Sequence, residues 1–170
     1  MPKLEVFFDY TCPFCLRGHG FLIELLPRFP DVTAEWAPCE AHPRPEHYGT
    51  HSDLCARGMY YALEHGADLM EYHGIMYNAA LASRADIEDL GVVAGLLQNL
   101  LDSGAFYTAL SGGAYIDKLD ENNRLAWETY GFPAVPSYRM NGSFLKSTVG
   151  VGVSKQQLSA FLEQQAGYSL

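Results

Sequence analysis

No apolar run in these 170 residues approaches the roughly 18 that a membrane-spanning helix needs, so a transmembrane span is excluded. Positive charge is scarce: 11 Lys and Arg stand against 20 Asp and Glu, a net charge of −9. A chain this negative is repelled by phosphate backbones, which argues against a nucleic-acid partner. Four cysteines are too few for the disulfide framework of a small secreted domain. The first apolar stretch, Leu4 to Phe8, is shorter than the roughly 7–15 residues of a secretory signal core and has no small-residue cleavage site after it. A cytoplasmic location is therefore expected. Glycine and proline follow no period, which excludes a collagen-like chain. Neither an internal repeat nor a low-complexity tract is present.

The rest of the composition describes a folded domain. An apolar fraction of 48% with 18% charged residues is enough to offset conformational entropy. At this length roughly 70% of the unfolded surface can be buried, so a core forms without staples.

Lys3 to Phe8 reads as a strand, and Phe7 beside Phe8 suggests burial on both faces. Pro13 suits the first helical position and makes Cys12 the N-cap. Phe14, Gly18, Phe21, Leu22, Leu25 and Leu26 then recur at helical spacing until Pro27 and Pro30. Val32 to Trp36 alternates as a second strand, completing a βαβ unit. Ala41 to His51, with Pro43, Pro45, Gly49, His42, His47 and His51, reads as an exposed loop.

Amphipathic helical patterns follow. Leu54, Cys55, Met59, Ala62 and Leu63 form one face. Asp68 with Glu71 resembles a capping box ahead of Leu69, Tyr72, Met76 and Ala80. Leu90, Val93, Ala94, Leu97 and Leu101 form another face, and Phe106 to Leu110 a short helix. Tyr115, Ile116, Leu119, Ala126, Trp127 and Tyr130 form the last, stopped by Gly131. Asn141-Gly142 between Tyr138–Met140 and Ser143–Leu145 is a strong hairpin signal, since both turn residues take positive φ. Ser154 with Gln157 caps a closing helix. The order β-α-β, helices, β-β-α predicts an α/β domain, residues 1–42 plus 132–170, carrying a helical insertion at 43–131.

The chemistry centres on Cys12-Pro13-Phe14-Cys15. Spacing i, i+3 at a helix start puts both sulfurs on one side of the first turn, within disulfide reach. The helix N-terminus, with its free N–H groups and partial positive charge, favours a thiolate at Cys12. Stabilising that thiolate also favours the reduced pair, which makes the disulfide a stronger oxidant. Cys15, deeper in the helix, is the expected resolving thiol. One Cys-x-x-Cys is alternatively half of a zinc site, with Cys39, Cys55 or the histidines completing it. No second Cys-x-x-Cys exists, and the proline between the cysteines favours redox chemistry, with no metal site expected. Cys39 and Cys55 read as buried small hydrophobes, although a second disulfide between them stays open. His19 reads as a surface or packing histidine, and Tyr60, Tyr61, Tyr72 and Tyr77 as core. Pro136 opens a strand, where proline is tolerated. Only about 5% of X-Pro bonds are cis, and nothing local favours cis at Val135-Pro136.

Asp9-Tyr10-Thr11-Cys12-Pro13-Phe14-Cys15, the segment Gly131-Phe132-Pro133-Ala134-Val135-Pro136-Ser137-Tyr138 and the helical block between them resemble the DsbA-like thioredoxin-fold oxidoreductases. The nearest resemblance is to the cytoplasmic FrnE-like branch. Trp36-Ala37-Pro38-Cys39-Glu40-Ala41-His42-Pro43 and Tyr72 to Tyr77 through Asp86-Ile87 add to it, so the likeness covers nearly the whole chain. It implies a thioredoxin-like fold with a helical insertion and a protein disulfide oxidoreductase in which Cys12 is the nucleophile and Cys15 resolves. It also implies a cis Val135-Pro136 bond against the cysteine pair. Pro13, Phe14, Val135 and Pro136 would contact an extended substrate, the last two by main-chain hydrogen bonding.

Substrates are then protein or small-molecule thiols and disulfides. No bound cofactor is required, with glutathione open as a co-substrate. Kappa-class glutathione transferases and 2-hydroxychromene-2-carboxylate isomerases are similar sister branches that typically carry serine where this chain has Cys12. A glutathione-dependent isomerase or transferase is therefore the alternative reading, and a non-catalytic metal or partner-binding domain the third. Direction of exchange, physiological substrate, redox partner and oligomeric state are not encoded in these patterns.

Overall fold

Four strands carry the molecule in the order β2-β1-β3-β4. The computed structural model describes residues 2–167, so Met1 and 168–170, at the two ends of the α/β reading, lie outside it. Strand β1 (Lys3–Phe8) is central and buried on both sides by Leu4, Val6, Phe7 and Phe8. It pairs in parallel with β2 (Thr33–Pro38), Phe8 lying opposite Pro38. A parallel pair needs a crossover, and helix α1 (Pro13–Leu25) provides it. On its other side β1 pairs antiparallel with β3 (Ser137–Met140), Val6 opposite Tyr138. Strand β4 (Ser143–Leu145) follows β3 through the Asn141-Gly142 turn, whose φ values are 52° and 78°, as the hairpin signal requires. Helix α7 (Lys155–Ala166) starts at a full capping box between Ser154 and Gln157.

Between β2 and β3 lie α2 (Asp53–Glu64), α3 (Leu69–Tyr77), α4 (Leu90–Leu96), α5 (Ser103–Ser111) and α6 (Ile116–Asn123). Helices α3 and α6 run on into wide-pitch π segments, Asn78–Ala82 and Arg124–Thr129. The buried apolar side chains form one continuous cluster, from Leu4, Phe8 and Leu22 on the α/β side to Met59, Tyr72 and Phe106 in the helices. Among the described residues no helix is long and apolar enough to cross a membrane.

The structure departs from the periodicity at several points. Leu63 and Ile116, expected on apolar faces, are exposed. His51 is buried, its Nδ1 2.8 Å from the His42 carbonyl, so the 41–51 loop is anchored at its end rather than fully solvated. Asp68 caps α3 by accepting from the backbone N–H groups of Met70 and Glu71. Of the two placements open to His19, the structure takes the packing one: it lies in the core, edge-on to Trp36 and His73.

Candidate functional site

The Cys12-Pro13-Phe14-Cys15 turn projects from the carboxyl end of β1. In open α/β sheets this end is where sites form. Asp9, buried at the strand's end, holds the turn. Its Oδ1 accepts from Thr11 N and Thr11 Oγ1 at 2.9 and 2.8 Å, and its Oδ2 from Ala41 N at 2.9 Å. One carboxylate thus ties the residues entering the motif to the chain leaving β2. Cys12 is the N-cap of α1 and Pro13 the first helical residue, as expected.

The two sulfurs occupy different environments. Cys12 is partly exposed and Cys15 is buried. A hydrogen bond from the Cys15 thiol lowers the Cys12 pKa most, and backbone N–H groups of Cys15 and Phe14 add to it, against a smaller opposing effect of burial. The Cys15 backbone N–H lies 3.3 Å from Cys12 Sγ. For Cys15 burial comes first and raises the pKa well above that of a free thiol, with its hydrogen bond to Cys12 adding to the rise. The helix N-terminus therefore contributes to the Cys12 thiolate, but the partner cysteine contributes more.

Burial likewise holds Cys39 and Cys55 as neutral thiols, and all four cysteines are free. Alkylation by iodoacetamide, whose rate follows the thiolate fraction, should therefore show a single inflection below the ~8.5 of a free cysteine, mapping to Cys12. Rates that stay low until pH 8.5 or above, or first labelling at Cys15 or Cys39, would contradict this assignment.

Residues 133–137 approach the pair from β3. The Val135–Pro136 peptide is cis, and the Val135 carbonyl oxygen lies 3.6 Å from Cys12 Sγ. Ser137 Oγ donates to the Ala134 carbonyl at 2.8 Å, Ser147 N donates to Ser137 Oγ at 3.0 Å, and Ser147 Oγ donates to the Pro136 carbonyl. Ser137 on β3 and Ser147 after β4 thus hold the carbonyls of Ala134 and Pro136 on either side of Val135. Gly18 lets α1 pack here: a Cβ at this position would sit 2.7 Å from Tyr138 Oη and 3.2 Å from Pro136 Cγ. Phe14 lies over the 151–152 turn, with the Arg17 guanidinium 5.2 Å from its ring and Arg17 Nη2 donating to the Val151 carbonyl at 2.7 Å.

A groove of about 550 Å³ opens beside Cys12, lined also by Phe14, Glu40, Pro43, Trp127 and Val135. The helical block supplies its far wall. Trp127 Nε1 donates to the Glu40 carbonyl at 2.9 Å. Asn123 and Glu40 bond reciprocally: Glu40 N to Asn123 Oδ1 at 2.7 Å, and Asn123 Nδ2 to Glu40 Oε1 at 3.1 Å. Trp127 sits on the π segment after α6, a distortion frequent at functional sites. A second cavity of about 510 Å³ lies by the free edge of β2, between Glu35, Tyr60 and Lys118, and contains no cysteine. Reactive sulfur, not size, singles out the first.

Of the residues expected at the site, Cys12, Phe14 and Val135 line this groove, and Cys15 and Pro136 pack behind it. Pro13 starts the helix at its rim and is exposed. Sequence reasoning missed Asp9, Glu40, Asn123 and Trp127. A signal existed for the first two: each is an acidic residue within two positions of the end of a parallel strand, at the sheet end where α/β sites form. Among the described residues no three His, Cys, Asp or Glu side chains are grouped to hold a metal ion.

The family profile described as DSBA-like thioredoxin domain matches residues 3–164. YwbO of Bacillus subtilis (strain 168), an uncharacterized protein, is 23% identical over 192 residues, covering 92% of this chain and 95% of that one. The crystal structure of a probable DsbA oxidoreductase from Streptomyces coelicolor superposes with a TM-score of 0.80 at 16% identity, covering 100% of this chain and 92% of the other. A thioredoxin-like oxidoreductase from Silicibacter pomeroyi DSS-3 gives 0.72 at 20% identity, covering 99% and 88%. At these identities the structural likeness bears on the fold.

Proposed function

The chain belongs to the DSBA-like thioredoxin domain family, and on that premise we propose that it is a thiol–disulfide oxidoreductase acting on protein or small thiol substrates through Cys12 and Cys15. The observation that carries this reading is the geometry of the pair: a partly exposed Cys12 at the N-cap, its Sγ 3.3 Å from the Cys15 backbone nitrogen, and a buried Cys15 three residues on, an arrangement that lowers the pKa of the first thiol and raises that of the second. A nucleophile must be a thiolate, whereas a resolving thiol is best kept protonated until it is needed.

In the reducing direction the Cys12 thiolate attacks one sulfur of a substrate disulfide. The substrate S–S bond breaks, a Cys12–substrate bond forms, and the departing thiolate takes up a proton. Cys15 then loses its proton and attacks Cys12 Sγ. A Cys12–Cys15 disulfide forms and the second substrate sulfur leaves as a thiolate. Two electrons pass from the protein to the substrate. The reverse sequence oxidises a dithiol, and another thiol system returns the pair to its starting state. No bound cofactor takes part. The Val135 carbonyl beside Cys12 suits an extended substrate strand, with Phe14 and the exposed Pro13 forming the surface against which it lies and the buried Pro136 supporting Val135 from behind.

Equilibration with glutathione buffers of graded potential, followed by acid quench and peptide mass analysis, tests this reading. The expected product is an intramolecular Cys12–Cys15 disulfide formed reversibly in a two-electron transition. Oxidation confined to Cys39 or Cys55, or glutathione adducts that never resolve, would overturn it.

A further inference from the structure

The groove beside Cys12 carries a charge pattern that exchange chemistry alone does not require. Its walls are apolar, formed by Phe14, Pro43, Trp127 and Pro133. Among the described residues its only ionisable side chains besides the nucleophile are two carboxylates, Glu40 and Glu46, and no lysine or arginine lines it. Glu46 sits on the half-exposed rim, bonded to His42.

Glu40 lies deeper, 5% exposed. Its Oε1 accepts from Asn123, while its Oε2 is buried with no hydrogen-bond partner among the described residues. A buried carboxylate oxygen without a donor is costly unless something supplies one. Burial, reinforced by Asp53 and Asp9, pushes the Glu40 carboxyl up to about 7 despite the Asn123 bond, the mark of a carboxylate without an adequate counter-charge. The two arginines that share a smaller cavity with Glu40 are already committed: Arg44 Nε is 3.3 Å from Asp53 and its Nη2 3.8 Å from Glu88, and Arg57 donates to the Leu110 and Ala114 carbonyls. Arg17 is turned to the Val151 carbonyl on the far side of Phe14. The whole chain, at −9, adds a negative field that concentrates cations at its surface.

We propose that this groove selects disulfides and thiols whose cysteine is flanked by a cationic and an apolar side chain, and discriminates against anionic thiols such as glutathione. The apolar neighbour lies between Phe14 and Trp127, and the ammonium or guanidinium donates to Glu40 Oε2, with Glu46 at the rim. A guanidinium, with N–H groups in a rigid fork, suits a carboxylate oxygen better than an ammonium does. Glutathione brings two carboxylates and one ammonium into the same space and meets like charge. This specificity rests on the reading of Cys12 as the attacking thiolate, and it separates that reading from glutathione-dependent transferase or isomerase chemistry.

The test uses the reduced full-length protein and four mixed disulfides with 2-thiopyridine: tripeptides with Lys, Gln or Glu before Cys-Leu, blocked at both ends, and glutathione itself. Release of the thiopyridone reports attack by Cys12. The expected order is Lys, Gln, Glu, with at least about a tenfold Lys-to-Glu ratio at low salt and glutathione near the Glu peptide. Glu40→Gln, which keeps an amide able to pair with Asn123, should bring the Lys-to-Glu ratio to within about threefold. Asp31→Asn removes the same charge from an exposed turn before β2, at the other end of that strand, and should leave the ratio intact.

Should Glu40→Gln not fold, Glu46→Gln on the rim provides a second arm, with a partial loss of the ratio expected. Equal rates for all four probes, or a ratio that falls as far in Asp31→Asn as in Glu40→Gln, would overturn the specificity while leaving exchange in place. Failure of every probe to react would instead remove the oxidoreductase reading on which it stands.

Discussion

Cys12→Ser is expected to abolish disulfide exchange, lowering insulin-reduction rates by on the order of 10³-fold or more, to the uncatalysed background. A serine hydroxyl neither ionises near neutral pH nor forms the mixed disulfide. Cys15→Ser should behave differently. The first attack needs only Cys12, and Cys15 enters when the mixed disulfide is resolved. The variant should therefore accumulate a covalent Cys12–substrate adduct, seen as a mass increase that dithiothreitol reverses. Cys15 also gives the hydrogen bond that most lowers the Cys12 pKa. A serine hydroxyl can stand in for that donor only if its shorter reach allows it, so the adduct should form more slowly below pH 8 than in the native protein. Retention of full reductase activity by Cys12→Ser would remove the mechanism, and an adduct found on Cys39 or Cys55 would move the nucleophile elsewhere.

The largest stability effect is expected at Gly58, in the middle of α2. A Cβ there would lie 2.4 Å from Tyr72 Oη and 2.7 Å from Phe106 Cζ. Both rings are fully buried, and Tyr72 Oη donates to the Cys55 carbonyl at 2.6 Å. Neither ring can swing aside without entering the core, and moving Tyr72 breaks a buried hydrogen bond. Overpacking of this kind costs about 1–3 kcal/mol and loss of the bond about 1 more. Set against the ~1 kcal/mol that alanine gains over glycine in a helix, Gly58→Ala should destabilise the protein by about 2 kcal/mol, a fall in Tm of roughly 4–8 °C for a chain of this size. Gly74, in α3, has nothing within 4 Å of the same added atom. Gly74→Ala should raise stability by about 0.5–1 kcal/mol, since alanine favours the helix and restricts the unfolded chain. Thermal or urea unfolding that places the two variants in the opposite order would contradict the packing of α2 on α3 and α5.

Local signals made much of this molecule legible before its tertiary structure. A run of β-branched and aromatic residues marked β1, alternation marked β2, Pro13 marked the first turn of α1 with Cys12 as its cap, Asn141-Gly142 marked the hairpin, and Ser154 with Gln157 marked α7. Each depends on φ preferences, missing N–H groups or side-chain spacing within a few residues, and such terms act on the chain wherever it lies. The spacing of the two cysteines and the N-cap position of Cys12 were readable for the same reason, being set within one helical turn. These signals gave an α/β domain with a helical insertion, and the resemblance of the 9–15 and 131–138 segments to DsbA-like proteins, not the signals themselves, implied the DsbA-like architecture.

What tertiary structure alone decided is who meets whom across that frame. Glu40 pairs with Asn123, 83 residues away, and Trp127 reaches the same segment from 87. Val135 meets Cys12 from 123. No periodicity encodes such meetings, because each depends on how the helices settle against the sheet. The same cause put His19 and His51 inside and left Leu63 and Ile116 outside: a helical face is apolar by its sequence, but it is buried only where a neighbour covers it. The chain by itself determined most of its elements and placed two cysteines three apart at a helix start, whereas the burial that sets Cys15 apart from Cys12 comes from the tertiary structure. The groove beside them, with its buried carboxylate, exists only because distant segments exclude water from the same space.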